Sequence, residues 1–369
     1  MSLFSLYIHL PFCTKKCPYC HFYVVPDKEI LKTKLLDALL TECGCYQDLF
    51  MDRQLVSLYF GGGTPALFGA SRIETTINGV IASCPKRKEP FETTLEVNPE
   101  DVTTEAIEAF CHAGVNRISI GVQSFDDLLL KGLGRTHSSA DAEAAVLTAS
   151  SAGIKNITID LMYDLPNQTL KHWEASLRRA IALPIDQISL YNLTIEPHTA
   201  FYKKRKQLKR LSPNDKESLL MYKMAQELFI EAGLRQYDVS AFAKEGKESV
   251  HNTGYWQGRP FIGLGPSASS FWKGKRYSNI ANINSYCDAL KEGHSAVNFE
   301  EELGKEAALR ERIAIALRLL EGVDLKSLEE EVGCELSEEL WKTLHTLADQ
   351  GVVELGEGRV RLTQKGVLF

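Results

Sequence analysis

Six β-rich runs alternate with helical stretches over the first 200 residues, and this alternation limits the possible folds more than any other feature of the chain. The runs cover 6–10, 56–60, 94–97, 117–122, 156–162 and 187–193. Between them apolar residues recur at helical spacing, as in Ile30, Leu31, Leu35, Leu39 and Cys43, or Ile73, Ile77 and Ile81. Near-continuous apolar runs such as 157–162 suit strands buried on both faces, as a parallel sheet requires. The punctuation repeats as well: Ala113-Gly114-Val115, Ala152-Gly153-Ile154 and Ala232-Gly233-Leu234. Each Gly can take the left-handed conformation that ends a helix, and the third closes a helix expected to open at Ser212-Pro213. Six βα units in series predict an α/β fold with an open, partial (β/α)6 barrel, because eight units are needed for closure. A doubly wound open sheet satisfies the same periodicity.

At 369 residues the chain can hold a barrel-sized domain and an appendage. Helical patterns over 305–320 and 337–349 precede two β-rich runs flanking Gly356-Glu357-Gly358. Helices followed by a short hairpin predict a small winged-helix-like α+β module. The expected division is a barrel over 1–235, a connecting segment over 236–300 and the module over 301–369. From residue 301 onward nine Lys/Arg face fifteen Asp/Glu, which accounts for the whole formal charge of −6. An acidic wing repels phosphate, so no nucleic-acid partner is expected. No apolar run reaches bilayer-spanning length.

Cys13, Cys17 and Cys20 crowd one stretch, HLPFCTKKCPYCHF. Three thiolates on a short loop satisfy three irons of a cubane cluster and leave the fourth open to a small molecule, which makes the loop a reaction centre. Zinc commonly takes a fourth Cys or His. His21 is available, although adjacent residues seldom both reach one small ion. A disulfide would leave one thiol over, and nine cysteines without a leader segment argue against an oxidising compartment. Cys43, Cys45, Cys84, Cys111, Cys287 and Cys334 are scattered, most of them within apolar helical patterns, as small hydrophobes.

Chemistry in parallel α/β folds gathers at the carboxyl ends of strands. The first run leads into the cysteine loop. The second ends in Gly61-Gly62-Gly63-Thr64-Pro65, where missing Cβ atoms let backbone approach a charged head group. The third ends at Glu96 in Glu96-Val97-Asn98-Pro99-Glu100, and the fourth at Gln123, followed by Gly134-Arg135-Thr136-His137. The fifth holds Asp160 among apolar neighbours, a costly position unless Arg135 or a ligand compensates it. The sixth ends near Asn192.

With YIHLPFC, CPYC, FGGGTP, EVNPE, ISIGVQSF, LGRTH, IDLMYDLPNQT and HNTGYW in view, the chain resembles the radical S-adenosylmethionine (SAM) proteins. Within them it is similar to the branch of oxygen-independent coproporphyrinogen oxidases and HemW-type heme chaperones. The resemblance implies a partial barrel with a [4Fe–4S] cluster on Cys13, Cys17 and Cys20, whose open iron is chelated by SAM. Tyr7, Tyr19, Gly62, Gly63, Thr64, Glu96, Gln123, Arg135 and Asp160 are implied as contacts of that cofactor. Arg135 would face its carboxylate or a neighbouring acid. No catalytic residue is assigned.

Within that branch, three features point to a heme carrier over an enzyme that decarboxylates coproporphyrinogen. The oxidase pattern places a fourth cysteine where this chain has Phe22. It also carries an N-terminal extension, whereas twelve residues precede Cys13 here. Finally, His251-Asn252-Thr253-Gly254-Tyr255-Trp256 matches the H-N-x-x-Y-W signature of the carriers. His251 is the expected heme ligand, with Tyr255, His9 and His21 as alternatives. The implied partners are heme and a heme-acceptor protein such as a membrane respiratory protein. The expected location is the cytoplasm, with transient membrane association. The basic run from Lys203 to Lys206, extended by Lys209 and Arg210, suits steering of an acidic partner or ligand. Two departures from the family pattern stand out: Asp164 where Gly is expected, and Ala241 where Asn is expected.

Overall fold

The computed structural model describes residues 2–368. Each of the six β-rich runs forms a strand: β1 (Ser2–Leu10), β2 (Arg53–Gly62), β3 (Arg87–Val97), β4 (Arg117–Gln123), β5 (Asn156–Tyr163) and β6 (Gln187–Asn192). All five adjacent pairs are parallel, and the spatial order is the chain order. That order separates the two architectures left open by periodicity. A doubly wound sheet reverses direction at a switch point and puts helices on both faces. Here every crossover proceeds the same way, so with right-handed connections the helices share one face and the sheet curls into a partial barrel. The outer layer includes α1 (Glu29–Cys45), α2 (Ala70–Ser83), α3 (Thr104–His112), α4 (Ser139–Ser151), α5 (Leu170–Ile181) and α6 (Asp215–Glu231). Helix α6 begins later than Ser212-Pro213 suggests, because Asn214 caps it by accepting from Lys216 and Glu217 N–H groups.

Residues 236–300 do more than connect. Strands β7 (Arg235–Asp238) and β8 (Ala241–Ala243) extend the sheet beyond β6. Helix α7 (Val250–Trp256) follows, and then β9 (Phe261–Leu264) pairs parallel with β1. Strands β10 (Ser269–Trp272), β11 (Lys275–Asn279) and β12 (Val297–Glu302) continue that edge, giving twelve strands in the order β12-β11-β10-β9-β1-β2-β3-β4-β5-β6-β8-β7. Ala241 sits in the short β8 ladder opposite Ser189.

The strands sort their residues by parity. Leu6, Ile8, Leu58, Phe60, Ile118, Ile120, Ile159 and Ile188 are at most 1% exposed. Their alternating neighbours Ser5, Ser57, Tyr59, Thr94, Glu96, Arg117, Ser119, Thr158 and Asp160 are joined by hydrogen bonds across the concave face. Side chains two apart on a strand share a face, so the barrel is lined with polar groups and clad with apolar ones. Arg117, 2% exposed, donates to Thr94 Oγ1 at 3.3 Å and Thr158 Oγ1 at 2.6 Å, and lies 3.8 Å from Glu92.

The C-terminal module has α8 (Lys305–Ala316), α9 (Leu325–Val332) and α10 (Glu338–Asp349), with strands 323–324, 353–356 and 359–362 forming a three-stranded sheet. Its own apolar centre includes Leu309, Ile313, Leu328, Leu344 and Val360. It joins the barrel where Arg312 donates to the Gln257 carbonyl at 2.9 Å and Leu320 N–H to the Tyr237 carbonyl at 3.1 Å. Among the described residues no helix is long and apolar enough to cross a membrane.

The added edge is pinned by one buried carboxyl. Glu42 on α1 accepts from Gly265 N at 2.9 Å, Asn279 Nδ2 at 2.6 Å and the Tyr286 hydroxyl. Burial pushes its pKa up from 4.5 to about 7, against the opposing effect of these bonds. A carboxyl whose folded pKa is raised contributes stability below the unfolded pKa and loses it as pH rises through the folded value. Relative to wild type, Glu42→Gln should therefore gain stability as pH is raised from 4.5 past 7. Denaturant midpoints that keep a constant spacing across that range would refute it.

Candidate functional site

Two strand ends build the site by lying against each other. After Leu10 the chain turns into Phe12–Cys13, which pairs with Val25–Pro26 to close the cysteine loop at its base. Gly63 N–H donates to the Leu10 carbonyl at 2.9 Å and Thr64 N–H to the Phe12 carbonyl at 2.7 Å. This apposition explains the glycines. A Cβ on Gly63 would meet the Phe12 carbonyl oxygen at 2.5 Å, and one on Gly62, where φ is +118°, would meet the His9 ring at 2.7 Å. The missing Cβ atoms thus clear space for the chain itself, while Gly62 and Gly63 also line the cavity. The Gly62 amide is also engaged, at 3.2 Å from Glu96 Oε2, so a ligand meeting this turn meets acceptors.

The resulting cavity, 440 Å³, is lined by Cys13, Cys17, Cys20, Tyr19, Gly62, Gly63, Thr64, Glu96, Gln123, Arg135 and Asp160. Eleven of the thirteen residues singled out from sequence therefore meet in one place. All three cysteines are free thiols. Among the described residues no three His, Cys, Asp or Glu side chains are grouped closely enough to hold a single metal ion. Thr64 Oγ1 lies 3.7 Å from Cys13 Sγ, and Arg135 donates to Cys17 Sγ at 3.7 Å. Hydrogen bonds to sulfur are the contacts that tune thiolate-held iron.

Arg135 is placed by Gly134, a left-handed helix cap (φ +75°) whose missing Cβ lets Pro18 of the cysteine loop pack close. Its guanidinium donates to Asn98 Oδ1 at 2.6 Å and the Gly121 carbonyl at 2.9 Å, while Nε is buried without a partner. It is not among the groups that act on Asp160, which leaves a ligand as the other source of compensation open from the sequence. Ser119 donates to Asp160 directly at 3.2 Å, with Arg117 acting at longer range. Even so, burial and the neighbouring Glu96 push Asp160 up to about 7. Burial likewise raises Glu96, although Tyr59 donates to it at 2.8 Å. Two buried carboxyls opening on one cavity, each resisting its own charge, favour a positively charged ligand that would restore it. The chain thus offers a sulfur triad, a guanidinium with an unused N–H and a carboxyl pair, a donor set that fits both an iron–sulfur cluster and a sulfonium amino acid.

Tyr7 and His251 lie outside this lining. Tyr7 bonds His9 Nδ1 at 3.0 Å and stacks near Tyr59, with ring centroids 6.1 Å apart. His251, 1% exposed, follows at 4.9 Å from Tyr59, and Tyr255 lies another 4.9 Å on. These rings form a column through the barrel. Ser57 donates to Ser5, so His251 Nδ1–H donates to Ser57 at 3.0 Å and Nε2 accepts from Tyr255 at 2.8 Å. Both ring nitrogens are engaged, and burial lowers the His251 pKa to about 3. The expected heme ligand thus offers no free nitrogen in this arrangement.

Asn98, Ser119, Tyr59 and Arg117 were not anticipated. Asn98 sits within Glu96-Val97-Asn98-Pro99-Glu100, and its donation to Thr64 Oγ1 at 3.0 Å joins two strand ends. Asp164, where φ is +61°, explains why Gly is expected there; its carboxylate turns to Asn192 and to Ser218 at 2.5 Å, away from Asp160. The basic run forms exposed helical turns beside the cysteine loop, where Phe201 N–H donates to the Pro18 carbonyl at 3.0 Å. Gly63→Ala should displace the cysteine loop at a cost of about 1–3 kcal/mol and reduce iron incorporation several-fold. Normal iron and sulfide content with unchanged stability would contradict this packing argument.

The Radical SAM superfamily matches residues 7–180, and the HemN C-terminal domain matches residues 303–369. Proteins named heme chaperone HemW from Bacillus subtilis and Lactococcus lactis are 32% and 33% identical, over 99% and 98% of this chain and 96% and 94% of theirs. The Escherichia coli protein of that name is 38% identical over 72% of this chain and 69% of its own. The solved structure of Escherichia coli coproporphyrinogen III oxidase, HemN, is 24% identical, covers 100% of this chain and 88% of that one, and superposes with a TM-score of 0.85, a likeness of fold. Together with the cysteine cavity, these matches show that the chain belongs to the HemW family of the radical SAM superfamily.

Proposed function

We propose that the chain is a heme carrier on a radical SAM scaffold. It holds a [4Fe–4S] cluster on Cys13, Cys17 and Cys20, binds SAM beside it, and passes heme to an acceptor protein. The meeting of three free thiols, two buried carboxyls and Arg135 in one cavity carries the cofactor part of this reading. The names of the relatives support the cargo. When bound, the cluster and SAM supply one-electron chemistry at iron and sulfonium. The chain's own part is positional. Thr64 and Arg135 steady the cysteine sulfurs, Glu96 and Asp160 offset the sulfonium charge, and Tyr19 and Gln123 shape the wall. An acceptor at a membrane, such as a respiratory protein, fits a cytoplasmic carrier that reaches the membrane only transiently.

Phe22, 53% exposed at the cavity mouth, stands where the oxidase pattern has a fourth cysteine. Replacing Cys13, Cys17 and Cys20 together by Ser should abolish the iron–sulfur absorbance of anaerobically reconstituted protein; a full cluster in that variant would refute the ligand assignment. Reconstituted wild type given coproporphyrinogen, SAM and a reductant should yield no protoporphyrinogen. Product formation would instead establish an oxidase.

A further inference from the structure

No residue of the HNTGYW motif lines the cysteine cavity. The motif forms α7, which closes the amino end of the barrel: Glu92 accepts from Val250 and His251 N–H groups, each at 2.9 Å, at the level where Ser57 pairs with Glu92. The outer side of α7 borders a second cavity of 440 Å³. Tyr255 and Trp256 supply one wall, Phe261 and Phe271 of β9 and β10 a second, and Phe299 of β12 a third, with α8 of the C-terminal module completing the enclosure. Flat aromatic walls from several elements suit a flat aromatic guest. The volume lies within the ~300–1,000 Å³ of small-molecule sites. It shares Arg259 and Phe271 with an adjoining groove of 740 Å³, so a guest larger than the cavity has room to continue.

The charge in this cavity is specific. Arg276 is paired with Glu301 and Glu311, and Arg312 with Glu331. Arg259 is different. Its guanidinium is half-buried and donates to neutral acceptors: the Val250 carbonyl at 2.9 Å, Ser5 Oγ at 3.3 Å and Gln257 Oε1 at 3.3 Å. Among the described residues no carboxylate lies within ion-pair distance of it, and Glu92 acts on it only from farther off. A partly desolvated guanidinium with neutral partners is stabilised by an incoming carboxylate, which its fork geometry can grip.

We infer that this second cavity is the cargo site, and that it takes a planar aromatic macrocycle bearing carboxylates, a tetrapyrrole, between its aromatic walls with an acidic arm on Arg259. The inference rests on the heme-carrier reading and moves the cargo to the opposite end of the barrel from the cysteines. It gives the motif a different part from axial ligation: Tyr255 and Trp256 form the wall, and His251 is a positioning residue that fixes Tyr255 from behind.

Hemin titration of the full-length protein, followed by the Soret band, tests this. Phe299→Asp alters an exposed wall residue, and Arg259→Gln removes charge while keeping N–H groups; both should keep the cluster absorbance and weaken hemin binding about tenfold or more, about 1.4 kcal/mol. The triple Cys→Ser variant should bind hemin like wild type. His251→Ala should weaken binding without changing the type of iron ligand seen in the spectrum. Unaltered binding in both cavity variants, with loss in the cysteine variant, would place the cargo at the loop and overturn the inference while leaving the carrier reading intact. Loss of an imidazole-type spectrum in His251→Ala would overturn the positioning role. Wild type that takes up no hemin would overturn the carrier reading and this inference together.

Discussion

The site rests on the close approach of two backbone turns. Leu10 and Phe12 carbonyls receive the Gly63 and Thr64 amides, at a separation that a side chain on Gly63 would prevent. That pairing carries the cysteine loop onto the end of β2 and puts Thr64 within reach of Cys13. Pro18 seated on Gly134 fixes the loop from its other side and aims Arg135 at Cys17. The thiols are therefore held by backbone packing on both flanks, before any iron contributes. A loop positioned in this way loses less conformational freedom when it takes up a cluster than a free one would.

Beneath the loop, the barrel interior follows a different logic from an ordinary core. Its concave face carries carboxyls at Glu92, Glu96 and Asp160, with Arg117 the buried cation among them. Buried charges are tolerated only when paired or hydrogen-bonded. Arg117 and Glu92 partner each other near the amino end, and the α7 N–H groups complete Glu92. Toward the carboxyl end the negative groups outnumber their compensation. The excess opens into the cavity, where a cationic ligand can offset it.

Much of this was legible in the residues. The six runs predicted the strands because continuous apolar character and glycine stops are local signals. Motifs at strand ends located the cavity because a parallel sheet gathers its carboxyl ends by topology alone. The parts missed were those in which distant segments meet. Strand β9 inserts beside β1 from more than 250 residues away, and nothing in Phe261–Leu264 announces its partner. Arg117 opens a strand-like run and reads as a flanking charge; only its 2% exposure reveals it as internal. The period-two pattern Ser5, Tyr7, His9 and Ser57, Tyr59, Gly61 was present but hidden among apolar neighbours. His251 shows what a motif leaves out: its letters suggest a ligand but do not reveal that both ring nitrogens meet Ser57 and Tyr255 in the fold.

The ring column has a thermodynamic corollary. Glu96, Tyr59, His251 and Tyr255 form an unbroken series from one mouth of the barrel to the other, joined by hydrogen bonds at its ends and ring packing between. Such a series transmits a displacement better than it absorbs one, because close-packed interiors have little slack. Any guest that pushed Tyr255 aside would disturb the Glu96 carboxyl at the far end of the series. Linkage then requires the converse by the same factor, so filling one mouth would retune the other's affinity.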